Sequence, residues 1–183
     1  MTPAAGRVLI SEPFLLDPNF RRSVVILTEH SNITTFGFVL NQKTDFAVNL
    51  VMDELPTVHS NIYQGGPVEL ETFHYLHSYS HIEGTIEIGP KIYWGGNFNQ
   101  IHNGIRNGEL DSDQFKFFVG YSGWAPGQLE AEIADKSWIV GDLDAKYIFD
   151  KSIADDDLWK HAIRGTGGKN ALLANSPKDP NLN

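Results

Sequence analysis

The chain has 183 residues, 14 Lys and Arg against 23 Asp and Glu, a formal net charge of −9 and no cysteine. That length suits one domain able to bury its own core, and the missing thiols exclude disulfides, cysteine nucleophiles and zinc–thiolate sites. The charge opposes direct nucleic-acid binding, which needs clustered basic side chains, and the only adjacent basic pair is Arg21-Arg22.

The apolar fraction, 41%, is that of an ordinary globular protein. Apolar runs such as Phe36 to Leu40 fall far short of the ~20 residues a membrane span needs. After Met1 to Arg7 only Val8 to Ile10 are consecutively apolar, too few for a signal peptide, so a cytoplasmic location is expected.

In chain order, Arg7 to Ser11 reads as a first strand. Asp17-Pro18-Asn19-Phe20 reads as a turn, with Asp as cap and Pro at a first helical position. Ser23 to Glu29 and Thr35 to Asn41 are apolar on both faces and closely linked, which predicts two central strands paired as an antiparallel hairpin. Val48 to Leu55 predicts a short helix ended by Pro56. Strands are expected at Asn61 to Gln64, at Thr72 to Tyr79, and from Thr85 to Ile88 with Tyr93-Trp94. Asn97 caps an amphipathic helix through Phe98, Ile101 and Ile105. Gln114 to Ser122 alternates, and Phe115, Phe117, Val119 and Tyr121 are expected on one face. A helix follows Pro126 to about Ala134, then a strand at Ser137 to Val140. Ser152 with Asp155 suggests a capping box for a last helix whose apolar face is Leu158, Trp159, Ala162 and Ile163, stopped by Gly165. From Thr166 to Asn183 the chain is polar and reads as a mobile tail, leaving residues 1–165 as one domain. The pattern is α/β in the α+β sense: a mixed, largely antiparallel sheet, curled or barrel-like, flanked by helices.

Motifs for chemistry are sparse. His74, His77 and His81 lie on a strand-like stretch, where His77 and His81 would stand ~13 Å apart, so they do not share one metal ion. Asp155, Asp156 and Asp157 fit a helix first turn, balanced by Lys160 and Arg164. Gly165 to Lys169 lacks the spacing of a phosphate loop. Gly120-Tyr121-Ser122-Gly123-Trp124 departs from a nucleophile elbow at Trp124. Gly65-Gly66-Pro67 and Gly95-Gly96 end strands, where glycine permits positive φ and close backbone approach. No metal or cofactor is assigned.

The most distinctive stretch is Gly120 to Glu132, which with Ile133 reads GYSGWAPGQLEAEI. It resembles the signature of the bacterial YqgE/AlgH-like family. Leu9-Ile10, Pro13, Asp17-Pro18, Phe20, Arg22 to Val25, Glu29-His30, Gly37, Asn41, Gly65-Gly66-Pro67 and Trp138 follow in the same order. Ser122 is a departure, since the family more often has alanine there, so a hydroxyl is not required. The resemblance covers about residues 5–165. It implies a barrel-like or bifurcated sheet with surrounding helices and a bacterial cytoplasmic origin. It brings a transcriptional-regulator label but no catalytic or binding residues.

The reading taken forward is a non-enzymatic binding or regulatory protein acting through a small ligand or a protein partner. Its site is expected in a cleft between Gly65, Gly66 and Pro67 and the corner carrying Tyr121, Trp124, Gln128 and Glu130. The alternatives are a metal-free hydrolase using His30 with Glu29 or Glu130, and a regulator that contacts DNA, which the charge disfavours.

Overall fold

Runs of β-branched and aromatic residues without intervening charge build the centre of the molecule. The computed structural model describes residues 1–177. Its strands are β1 (Val8–Ser11), β2 (Val24–His30), β3 (Thr35–Val39), β4 (Lys43–Ala47), β5 (Asn61–Gln64), β6 (Val68–His77), β7 (Thr85–Gly89), β8 (Ile92–Gly95), β9 (Phe115–Trp124) and β10 (Trp138–Gly141). The helices are α1 (Val48–Val51), α2 (Phe98–Arg106), α3 (Gln128–Ala134), α4 (Ala145–Phe149), α5 (Asp155–Gly165) and α6 (Gly168–Leu172).

The strands form one sheet in the order β10-β1-β2-β3-β9-β6-β8-β7, and β5, paired with β4, also pairs with β9. That β5–β9 pair is parallel; the others are antiparallel. The sheet curls until β7 meets the turn before β1. There Gly6, at φ +79°, packs so closely on Ile88 that a Cβ would overlap the Ile88 carbonyl. The expected curled, largely antiparallel sheet with flanking helices is what the chain forms.

Three cores follow. The first, inside the curl, joins Val8, Ile10, Ile26, Phe38 and Phe118 to Leu158, Trp159, Ala162 and Ile163 of α5. The second groups Ile62, Phe115 and Phe117 with Ile101 of α2. The third sets Leu9, Val25 and Val39 against Leu129 of α3 and Trp138. The expected faces of α2 and α5 are those that bury, and the Asn97 side chain caps α2 by accepting from the Gln100 N–H.

Several expectations need correction. The helix over Val48 to Leu55 stops at Val51, because two valines and an asparagine propagate a helix poorly and only Val48 of α1 is buried. β4 and α4 were not expected; Asp144 starts α4 by accepting from the Lys146 N–H. The capping box at Ser152 does not form. Its hydroxyl donates to the nearer Asp150 carboxylate, and Ala154 stands at the start of α5. The segment read as a polar tail begins with α6 and a 3₁₀ turn, and Ala174 is buried in the first core. Residues 178–183 of that expected tail lie outside the described residues. Among the described residues no helix is long and apolar enough to cross a membrane.

Candidate functional site

β9 changes partners along its length, and glycines make this possible. Its first half lies between β5 and β6, and its end pairs with β3. At the change Gly120 has φ +64°, a left-handed conformation that interrupts strand alternation. Phe115, Phe117 and Val119 therefore pack on the second core, while Tyr121 packs on the first. This corrects the expectation that all four share a face.

Gly65 and Gly66 fill the same crossing. The Gly65 N–H donates to the Val119 carbonyl. The Gly65 carbonyl accepts from the Val39 N–H at 2.8 Å and from the Ser122 hydroxyl at 2.9 Å. A Cβ on Gly66 would overlap the Tyr121 carbonyl. Backbone thus occupies the space where the cleft was expected, and Pro67 lies outside it, exposed. Ser122 is fully buried and engaged, so it offers no nucleophile.

Trp124 lies on the other face of β9 from Tyr121, so these two rings do not line one cavity. Trp124 is a plug. Its indole N–H and that of Trp138 each donate to Glu132 Oε2 at 2.8 Å, and Gln128 donates to Glu132 Oε1 at 2.8 Å. Gln128 also accepts from the Ala125 N–H. Glu130 reaches another element: its carboxylate is 3.5 Å from His30 Nε2, while His30 Nδ1 is 2.8 Å from the Thr35 hydroxyl. Glu29 is exposed, and the Thr35 hydroxyl belongs to a buried residue.

The side chains around Tyr121 are the ones left open. The Tyr121 ring centroid is 4.4 Å from that of Phe36, which is 5.3 Å from Trp94 and 5.9 Å from His74. All four are half-buried at an open end of the first core. Two exposed apolar side chains flank them: Ile86, paired across the ladder with Trp94, and Leu70, beside Gly120. Glu69, the residue after Val68 (which pairs with Tyr121), has φ 48°, and its carboxylate lies within electrostatic reach of the Tyr121 hydroxyl. Burial, and then Glu69, raise the Tyr121 pKa above its ordinary value. Burial pushes His74 below its usual range, and its Nε2 meets the Thr72 hydroxyl at 3.0 Å. The sequence reading found Tyr121 here and missed Phe36, Glu69, His74 and Trp94, which only the strand pairings bring together.

Other features are structural or already paired. His77 is fully buried, meets the Gly95 carbonyl through Nε2 and accepts the Tyr79 N–H at Nδ1. The Gly96 carbonyl accepts from the Tyr75 hydroxyl, so the second glycine pair is a locked turn. A surface cleft of about 620 Å³ includes Lys91, Lys146 and Lys151. Two of these lysines face carboxylates, Lys151–Asp113 at 2.8 Å and Lys146–Asp144 at 3.8 Å. Among the described residues no group of three histidines or carboxylates is placed to hold a metal ion.

Fold and site together define a mixed α/β protein with a curled half-barrel sheet, crossed at paired glycines and open at an aromatic end. The comparisons place it more closely. The AlgH-like family model matches residues 8–171, and the chain belongs to that family. A UPF0301 protein of Cytophaga hutchinsonii is 39% identical over 180 residues, covering 97% of this chain and 98% of that protein. One from Chlorobium limicola is 36% identical, covering 97% and 95%. Among solved structures, a Corynebacterium diphtheriae protein matches with a TM-score of 0.82 at 26% identity, over 96% of this chain and 94% of that one. The solution structure of AlgH from Pseudomonas aeruginosa matches at 0.72 and 27%, over 97% of each.

Proposed function

We propose that this chain is a non-enzymatic binding protein of the bacterial cytoplasm, and that its recognition surface is the aromatic end formed by Phe36, Trp94 and Tyr121. One observation carries the reading: three contiguous rings stand half-open at the edge of a core, flanked by exposed Leu70 and Ile86. A continuous apolar surface of this kind is what a partner or ligand covers.

A thermal-shift screen against metabolites, nucleotides and short peptides tests it. A ligand at 100 times its Kd stabilises by about 2.7 kcal/mol, an upward shift of several degrees. Hits are expected to lose their effect in Tyr121→Ala. Hits that shift the variant as strongly as the native protein would place recognition elsewhere. The acid/base alternative rests on the His30–Glu130 contact. It gains ground only if a hit is consumed and His30→Gln stops its turnover.

A further inference from the structure

Building on that binding reading, we infer that the aromatic end receives the cationic side chain, lysine or arginine, of a protein segment, with the Glu69 carboxylate as its counter-charge. Aromatic faces attract cations through the ring quadrupole, and a nearby carboxylate supplies the opposite charge directly. Glu69 is exposed and forms no ion pair among the described residues. Val68, one residue before it, pairs with Tyr121, which places Glu69 beside the rings, and its carboxylate acts electrostatically on both Tyr121 and His74.

The backbone agrees. Glu69 is one of four non-glycine residues held at positive φ among the described residues, a conformation that costs free energy and recurs at functional sites. His74 is the titratable neighbour of that carboxylate: burial holds its pKa below the usual value, and Glu69 opposes that shift. The net charge of −9 draws cationic partners toward the molecule. Leu70 and Ile86 extend the apolar surface beyond the rings on two strands. That is more surface than a single small cation covers, and it suits the apolar neighbours of a basic residue in a chain.

The test uses the full-length protein and Trp94 emission. Trp124, Trp138 and Trp159 are buried, and Trp94→Phe identifies the part of the signal that belongs to the site. The probes are three capped tripeptides, Leu-Arg-Leu, Leu-Gln-Leu and Leu-Glu-Leu, and guanidinium chloride at low millimolar concentration. The arginine peptide is expected to change Trp94 emission and to bind about ten-fold more tightly than the glutamine peptide. Glu69→Gln, a change at an exposed position that leaves thermal stability near native, should remove that preference. Equal affinity for the arginine and glutamine peptides, or an arginine preference that survives Glu69→Gln, overturns the cationic assignment while leaving an apolar binding surface. Guanidinium binding as tightly as the peptide overturns the protein segment as occupant. If no probe moves Trp94 emission, the assignment and the reading beneath it both fall.

Discussion

Lys116 in β9 is 5% exposed, donates one hydrogen bond to the Ile148 carbonyl at 3.3 Å and lies 3.8 Å over the Tyr63 ring. Burial lowers its pKa to about 7, and burial with Asp155 raises that of Tyr63 to about 12. Between pH 7 and 10.5 the unfolded chain holds a proton on this lysine that the folded chain does not. The group's contribution to stability therefore rises with pH across that window and is flat below it. Lys116→Met removes the buried charge at similar volume. The variant is expected to be more stable at pH 6.5 by about 1–2 kcal/mol, with the advantage shrinking toward pH 9.5, as urea unfolding at both pH values would show. An advantage constant with pH would mean that the amine is solvated in the folded protein. Glu132 poses the opposite problem, because its carboxylate satisfies two buried indole N–H groups at once. Glu132→Ala leaves both without a partner and should cost about 2–4 kcal/mol. Glu132→Gln retains an acceptor and should cost clearly less in the same denaturation measurement.

Among the elements, β9 decides the architecture, because it passes from the β5–β6 side of the sheet to β3 through Gly120. A Cβ there would lie 2.8 Å from the Val68 carbonyl and 2.9 Å from that of Gly66, on a backbone at φ +64°. Gly120→Ala is expected to lower stability by about 2 kcal/mol or more through clash and left-handed strain combined. Gly123→Ala, where a Cβ meets mainly the Tyr121 ring, is the control expected to cost less. An equal loss at both positions would contradict the crossing as the strained point. This crossing also explains what could be read in advance. The hairpin of β2 and β3, the cap of α2 and the buried face of α5 each follow from local pattern and were legible. The glycine pair and the Gly120 stretch were recognisable as unusual, but their alternation could not reveal that Gly120 reverses the strand's faces. Tyr121 and Trp124 looked like neighbours in one site because the stretch read as a corner between strand and helix, whereas β9 runs on through Trp124 and sets the two on opposite cores. Phe36, His74 and Trp94 come from three strands far apart in sequence, and only the pairing register makes them one surface. α4 carries just five residues, too few for periodicity to announce it.

At the scale of the whole molecule, charge and chain closure make separate claims. A net charge of −9 means that long-range repulsion opposes duplex DNA, and no gel retardation is expected near 150 mM salt. A shift that weakens steeply with salt would revive direct DNA contact. Closure depends on Arg22, which joins segments from opposite ends of the chain. Its guanidinium lies 4.6 Å over the Trp159 ring and pairs with Asp156 at 3.3 Å. It also donates to the carbonyls of Ser176 and Pro177 at 2.6 and 2.8 Å. The side chain is only 8% exposed, so its charge depends on those acceptors rather than on water. Ending the chain at Gly167 removes both carbonyls, α6 and the buried Ala174, but leaves the sheet complete. The truncated protein should keep its far-ultraviolet circular dichroism and lose about 2–4 kcal/mol, a drop in Tm on the order of 10 °C. Adding Arg22→Met to the truncation removes a buried guanidinium that has lost both carbonyls and keeps only its Asp156 ion pair, and should recover part of that loss, whereas the same change in the full chain should destabilise it. If truncation leaves Tm unchanged, water satisfies Arg22 as well as the chain's own end does, and the C-terminal segment is an appendage to the fold, not its closure.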